Sequence, residues 1–160
     1  MRVTIAAIGR LKEGGERELY DRYAKRFDHS GRAASLGPLN LFEYPESRGA
    51  SAALRKADEG ARLLKAAARA SLIIALDEHG TPANSTAFAA LLGKWRDEGT
   101  TSIAFLIGGP DGHSPEVLAS AKLKLTLSPM TLPHGLARVV LAEQLYRATT
   151  ILSGHPYHRA

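Results

Sequence analysis

Two stretches of this chain leave little freedom in how it can fold. Leu72–Leu76 (LIIAL) and Ile103–Ile107 (IAFLI) are apolar at every position, without the alternation of a strand wetted on one face. Short, wholly apolar runs of this kind are expected for strands covered on both faces, as in a parallel sheet between two helical layers. Helical spacing fills the intervals. Leu19, Tyr20, Tyr23, Ala24 and Phe27 recur about a turn apart after an opening strand, Val3–Ile8. After the loop Ser30–Pro38 comes a strand Leu39–Tyr44, closed by Pro45. Leu54, Ala57, Ala61, Leu64 and Ala68 then mark an amphipathic helix, and Phe88, Leu91, Leu92 and Trp95 mark another between the two apolar runs. Ser114-Pro115-Glu116 opens a helix with an N-cap serine, a proline at the first position and an acid at the positive end. Leu123–Leu127 alternates with Lys124 and Thr126 like an edge or half-exposed strand, and a long helix runs from about Gly135 to Leu152. The alternation predicts an α/β fold with a mainly parallel sheet and helices on both faces. The 160 residues fit one domain, and no linker, repeat or low-complexity tract divides them.

Composition removes several classes of function. No apolar run approaches the roughly 20 residues of a membrane helix, and Arg10 and Lys12 end the opening apolar stretch too early for a signal peptide. The absence of cysteine removes disulfide and thiolate chemistry and fits a cytoplasmic location. His155 and His158 are separated by Pro156 and lack cysteine partners, so no metal site is expected. Neither GxxxxGK[ST], nor a dinucleotide fingerprint, nor GxSxG occurs. The net charge is +5, and residues 1–69 hold all of it: 14 Lys/Arg against 9 Asp/Glu, compared with 7 against 7 in residues 70–160. That bias suits a polyanion such as RNA, and it equally suits a surface that only keeps the chain soluble.

In parallel α/β sheets, ligands bind beyond the carboxyl ends of the strands. Three segments fall there: Leu76-Asp77-Glu78, Gly108–Gly112 and Ser128–Leu132. Gly108 and Gly109 permit close approach of backbone to a ligand, or simply a tight turn. The last helix carries one apolar stripe, Ala137, Val140, Leu141, Leu145, Ala148 and Leu152, yet Val139, Tyr146 and Ile151 lie outside it. Such a helix is deeply buried or faces a second subunit, and its C-terminal position favours a homodimer. Glu143 and Arg147 read as a structural pair. The tail, His155-Pro156-Tyr157-His158-Arg159, is either a solvated end or a segment that docks over a site.

Three motifs taken together, IGGPDGHSP (107–115), LSPMTLPHGLARVVLAEQLYRA (127–148) and HPYHR (155–159), resemble the RlmH family. These are large-subunit (23S) ribosomal RNA pseudouridine N3-methyltransferases of the SPOUT class, which use S-adenosylmethionine. The resemblance spans essentially the whole chain, including Tyr23–Phe27 and the LDEHG turn (76–80). It implies a parallel-sheet SPOUT fold with a C-terminal trefoil knot, in a homodimer whose active site lies at the subunit interface. One domain (1–160) would comprise a cofactor-binding knot region at about 72–152 and a C-terminal tail, 153–160. The implied cofactor contacts are Leu76, Gly108, Gly109, Leu127, Ser128, Pro129, Met130, Thr131 and Leu132. The substrate would be ribosomal RNA within the ribosome, with no membrane or metal partner.

On that reading the site must remove the imide proton of pseudouridine N3 and align the nitrogen with the methyl group. His158 is the leading proton acceptor. Tyr157 hydrogen-bonds or stacks on the base, while Arg138 and Arg159 stabilise the imide anion or hold phosphate. Arg22, Lys25 and Arg26 are the expected RNA-facing cations, with His134 beside them either as a further RNA contact or as an anchor for the start of the last helix. Two other functions remain open here: a SPOUT methyltransferase acting on transfer RNA, and a basic ribosome-binding module without catalysis or cofactor affinity. The short chain favours the ribosomal substrate, because a large preformed RNA surface then supplies much of the recognition.

Overall fold

The protein is described by a computed structural model covering residues 1–159. Among these residues, five strands form one parallel sheet: β1 (Arg2–Ile8), β2 (Leu39–Tyr44), β3 (Leu72–Pro82), β4 (Ser102–Ile107) and β5 (Leu123–Thr126). Their order across the sheet is β2-β1-β4-β3-β5. Helices α1 (Gly15–Gly31), α3 (Ser85–Asp97) and α5 (His134–Leu152) pack on one face, α2 (Ala52–Ala66) and α4 (Pro115–Ser120) on the other. β4 is buried at every position, as its uniform apolarity requires. Ile103 and Phe105 face the three-helix layer, while Ala104 and Leu106 face the two-helix layer. Side chains of Ser51, Asn84 and Ser114 accept hydrogen bonds from backbone N–H groups in the first turns of α2, α3 and α4.

Three details depart from the sequence expectation, and each has a local cause. β3 runs on to Pro82, because Leu76 and Thr81 both register with Leu125 of β5. Residues 77–80 therefore leave the ladder as an excursion at the carboxyl end of the strand. Gly80 lies so close to β5 that a Cβ there would stand 2.6 Å from the Leu125 carbonyl carbon.

The second departure is in α2, which is rotated relative to the expected stripe. It buries Glu59, Gly60, Leu63 and Ala67, and leaves Leu54, Ala57, Ala61 and Ala68 exposed. Alanines on several sides of this helix give hydrophobicity little power to set its phase. Contacts at Glu59 and Gly60 set it instead. The third concerns α5, whose burial on several sides is achieved within one chain, between α1 and α3. Its C-terminal position did not prevent deep burial, so the apolar flanks do not by themselves require a second subunit.

Gly60 brings α2 against the start of α4, where a Cβ would sit 2.5 Å from Ser114 Oγ and 3.2 Å from Val117 Cγ2. Gly60→Ala is expected to lower the unfolding free energy by about 1–3 kcal/mol through overpacking, despite alanine's better helix propensity. Urea denaturation measures this, and a midpoint equal to or above wild type would show that α4 yields without cost.

Candidate active site

The carboxyl ends of β3, β4 and β5 surround a cavity of ≈ 690 Å³. Its walls are the 77–80 excursion, the glycine loop after β4 and the segment joining β5 to α5. The three segments separated in sequence thus meet in one place. Leu76, Gly108, Gly109, Leu127, Ser128, Met130, Thr131 and Leu132 all line the cavity. Pro129 does not. Thr126 Oγ1 donates to the Ser128 carbonyl and Ser128 Oγ accepts from the Met130 N–H, at 2.8 and 2.9 Å. This turn leaves Pro129 exposed at its tip.

The glycine loop is both a tight turn and a cavity wall. Gly112 N–H donates to the Gly109 carbonyl at 2.9 Å. Arg55 of α2 clamps the loop from outside, donating to both Asp111 carboxylate oxygens at 2.7 and 3.1 Å and to the Gly49 carbonyl at 3.1 Å. The hydrogen bond from Arg55 lowers the Asp111 pKa. Glu59 lies behind the loop, its Oε1 accepting from the Ser47 N–H at 2.8 Å. Its Oε2 has no hydrogen-bond partner among the described residues, and a Cβ at Gly109 would come within 2.8 Å of it. These contacts explain the phase of α2.

Sequence reasoning gave no role to His113, which lines the cavity and is nearly buried. Its Nε2 lies 3.0 Å from the Leu76 carbonyl. Since a carbonyl only accepts, that nitrogen carries the proton. Burial lowers the His113 pKa, against the opposing pull of the Leu76 carbonyl and of Asp77. The ring thus ties the glycine loop to the end of β3 as a neutral group. Its only sequence signal was its place in the GHSP run (112–115), directly before the N-cap Ser114.

The tail docks, but on α5 and not over this cavity. Tyr157 packs on Tyr146 at 4.7 Å between ring centroids and donates its hydroxyl proton to Glu143 Oε1 at 3.0 Å. Arg147 lies 4.8 Å from the Tyr157 ring centroid, pairs with Glu143 at 2.6 Å and approaches His158 Nδ1 at 3.4 Å. Burial, then the hydrogen bond and charge of Glu143, push the Tyr157 pKa up to about 12. Arg159 is exposed. The cavity touches α5 at His134 and Ala137. At ~1.5 Å rise per residue, the interval from Ala137 to Arg147 puts the tail about 15 Å further along the helix.

The RNA-facing candidates divide between two places. Arg22, Lys25 and Arg26 line a separate groove of ≈ 620 Å³ between α1 and the end of α5, together with Tyr146 and His155. Arg26 lies 5.8 Å from the ring centroids of both Tyr23 and Tyr146. His134 instead stands at the start of α5, on the wall of the cavity.

Arg138, expected to serve catalysis, belongs to the core. It is fully buried, paired with Glu43 Oε1, and donates to the carbonyls of Ile8 and Gly9 at 3.3 and 2.9 Å. Its position on the inner side of α5 turns it away from the cavity and toward the ends of β1 and β2.

A family model described as "Predicted SPOUT methyltransferase" matches residues 1–158. The ribosomal RNA large subunit methyltransferase H of Bradyrhizobium diazoefficiens is 52% identical over 160 residues, which is 100% of each chain. A protein of the same name from Rhodopseudomonas palustris is 51% identical over 160 residues, again 100% of each. In architecture the chain is similar to a probable methylase family protein from Haemophilus influenzae. The TM-score is 0.56 at 15% identity, covering 99% of this chain and 70% of that one.

The Arg138–Glu43 pair makes stability depend on pH. Burial disfavours ionised Glu43, but the Leu11 N–H, the Arg17 hydrogen bond and the charges of Arg138 and Arg17 outweigh it and lower its pKa from 4.5. A depressed carboxyl pKa contributes stability that is present above the unfolded-state value and lost as pH falls through the folded-state value. Arg138→Met is therefore expected to cost about 1–3 kcal/mol at pH 7, because Glu43 keeps Arg17 and the Leu11 N–H but loses one of its two cations, and the Ile8 and Gly9 carbonyls lose their donor. The difference from wild type should shrink in acid as Glu43 protonates. Denaturant unfolding as a function of pH measures both effects, and an undiminished difference in acid would overturn the assignment.

Proposed function

The chain belongs to the SPOUT methyltransferase family, and from that premise we propose that it methylates N3 of a pseudouridine in large-subunit (23S) ribosomal RNA on the ribosome, as a homodimer using S-adenosylmethionine. The observation that carries this reading is the convergence of three loops, at the carboxyl ends of β3, β4 and β5, into one cavity. The names of the full-length relatives point to the large ribosomal subunit as the source of the RNA.

The donor set fits the cofactor. Leu76, Ile107, Leu125, Leu127 and Leu132 supply apolar wall for an adenosyl group, and the loop backbones supply N–H and C=O groups that can read adenine edges. His113, held neutral, adds no positive charge to that wall. When bound, S-adenosylmethionine supplies an electrophilic methyl group on a sulfonium sulfur. The single domain then divides into a cofactor region at about 72–152 and the tail, 153–160. A trefoil knot in the cofactor region accords with the chain path. From β5 at one edge, residues 127–133 cross the strand ends to α5, whose Arg138 is anchored at β1 and β2.

His158 accepts the imide proton from N3, so that the nitrogen becomes nucleophilic. Tyr157 remains protonated, because its pKa is pushed to about 12, and with its hydroxyl proton donated to Glu143 it serves as a stacking surface. Arg159 holds phosphate or the imide anion. Arg138, committed to the core, takes no part. The separation of tail and cavity along α5 supports a site built from two chains, with one subunit's tail serving its partner's cavity. Exposed Leu136 and half-buried Val140 on the free side of α5 supply apolar surface for that contact. Arg22, Lys25 and Arg26 supply a basic surface for the surrounding RNA.

His158→Ala is expected to leave S-adenosylmethionine affinity within about twofold, while turnover on ribosomes falls by about 10²–10⁴-fold, the usual contribution of a general base. Calorimetry and labelled methyl transfer to ribosomal subunits, assembled ribosomes and transfer RNA measure the two quantities. Unchanged turnover would remove His158 from the reaction, and methylation of transfer RNA alone would overturn the substrate assignment.

A further inference from the structure

The cavity carries a charge opposite to that of the protein around it. The chain has a net charge of +5, yet Asp77, Glu78 and Asp111 line the cavity, and no lysine or arginine is among its described lining residues. The three carboxylates are not equivalent. Asp111 is neutralised by its two-point contact with Arg55. Glu78 stands on the rim with its side chain 65% exposed, where solvent screens it, whereas the Asp77 side chain is only 20% exposed. Asp77 sits at the base of the 77–80 excursion, with Oδ1 accepting from the His79 N–H at 2.8 Å. Of the nearby histidines, His113 is kept neutral by burial, and His79 places Nδ1 3.4 Å from Asp77 Oδ1 with its side chain standing in solvent.

This arrangement bears on the one large difference between the methyl donor and its product. S-adenosylmethionine carries a net positive charge on its sulfonium, and S-adenosylhomocysteine carries no net charge. Transfer breaks the S–CH₃ bond, forms the N–CH₃ bond and leaves the electron pair on a neutral thioether, while the imide proton departs from N3. Shape can hardly separate two ligands that differ by one methyl group, but a carboxylate in a partly desolvated cavity separates them by charge.

Resting on the methyltransferase reading above, we propose that Asp77, assisted by Glu78, is the specificity-determining residue that makes the cavity prefer the cationic methyl donor over its neutral product, so that turnover itself weakens the hold on the spent cofactor. The excursion that breaks the β3–β5 ladder is what places Asp77 there. Asp111 contributes to loop shape and not to this preference, because Arg55 has already taken its charge.

The test is calorimetric titration of the full chain with S-adenosylmethionine and, separately, with S-adenosylhomocysteine. Asp77→Asn keeps a side-chain oxygen for the His79 N–H while removing the charge, and Asp77→Glu keeps the charge. In Asp77→Asn the Kd for S-adenosylmethionine is expected to rise about tenfold, while that for S-adenosylhomocysteine moves by less than about twofold. Added salt should narrow the wild-type preference and leave that of Asp77→Asn nearly flat. Asp77→Glu should retain most of the preference, and Glu78→Gln should lose less than Asp77→Asn. Equal weakening of both ligands would make Asp77 a positioning residue only, and no change in either would remove it from cofactor recognition. If the wild-type protein binds neither ligand, the methyltransferase reading falls with the proposal; a wild-type preference that survives Asp77→Asn overturns the proposal alone.

Discussion

A guanidinium in the core organises this molecule. Arg138 is the largest side chain to be wholly buried, and a buried charge is tolerated only where its partners are in place. Glu43 at the end of β2 and the carbonyls of Ile8 and Gly9 at the end of β1 are those partners. Glu43 in turn accepts from Arg17 of α1 at 2.5 Å and from the Leu11 N–H at 3.0 Å. One carboxylate therefore joins α1, the β1–α1 connection and α5 to β2. Because α5 is pinned by its second turn, the segment leading into it from β5 must cross the strand ends, and that crossing makes the third wall of the cavity.

The walls of the cavity are held in place by contacts between protein groups. Arg55 of α2 clamps the glycine loop and Glu59 packs behind it, His113 ties it to β3, and the doubled register at Leu125 throws residues 77–80 outward. The result is a division of charge. Acidic groups collect at the cavity, whereas Arg22, Lys25 and Arg26 collect on α1 beside the aromatic rings of Tyr23 and Tyr146. The fold keeps these surfaces of opposite sign apart.

Much of this was legible beforehand, for identifiable reasons. The run Ile103–Ile107 had to become a strand covered on both faces. Ser114-Pro115 had to start a helix, because serine caps and proline needs no N–H there. Segments following successive parallel strands have to gather at one end of the sheet, and that alone puts Leu76, Gly108 and Leu127 together. Other features left no such trace. The phase of α2 was misread because its alanines fit either face, while the residues that decide it are a buried glutamate and a glycine. Arg138 read as a catalytic cation because charge normally lies outside the core, and nothing local reveals a partner 95 residues away. His113 carries no local mark of its role either, since the Leu76 carbonyl it bonds lies 37 residues away.

The sequence by itself determined the layers of this protein, the strands that must be central, the caps of its helices and the end of the sheet at which ligands gather. These follow from local spacing and from the cost of wetting apolar side chains, both of which are written residue by residue. Only the tertiary structure decided which charges are spent internally and which remain to act. Arg138 and Asp111 are consumed by Glu43 and Arg55, Asp77 faces the cavity, and Tyr157 is committed to Glu143 beside the groove of basic residues. Each pairing joins groups on different elements of the chain, and the strength of a charge depends on the neighbours and solvent that folding places around it.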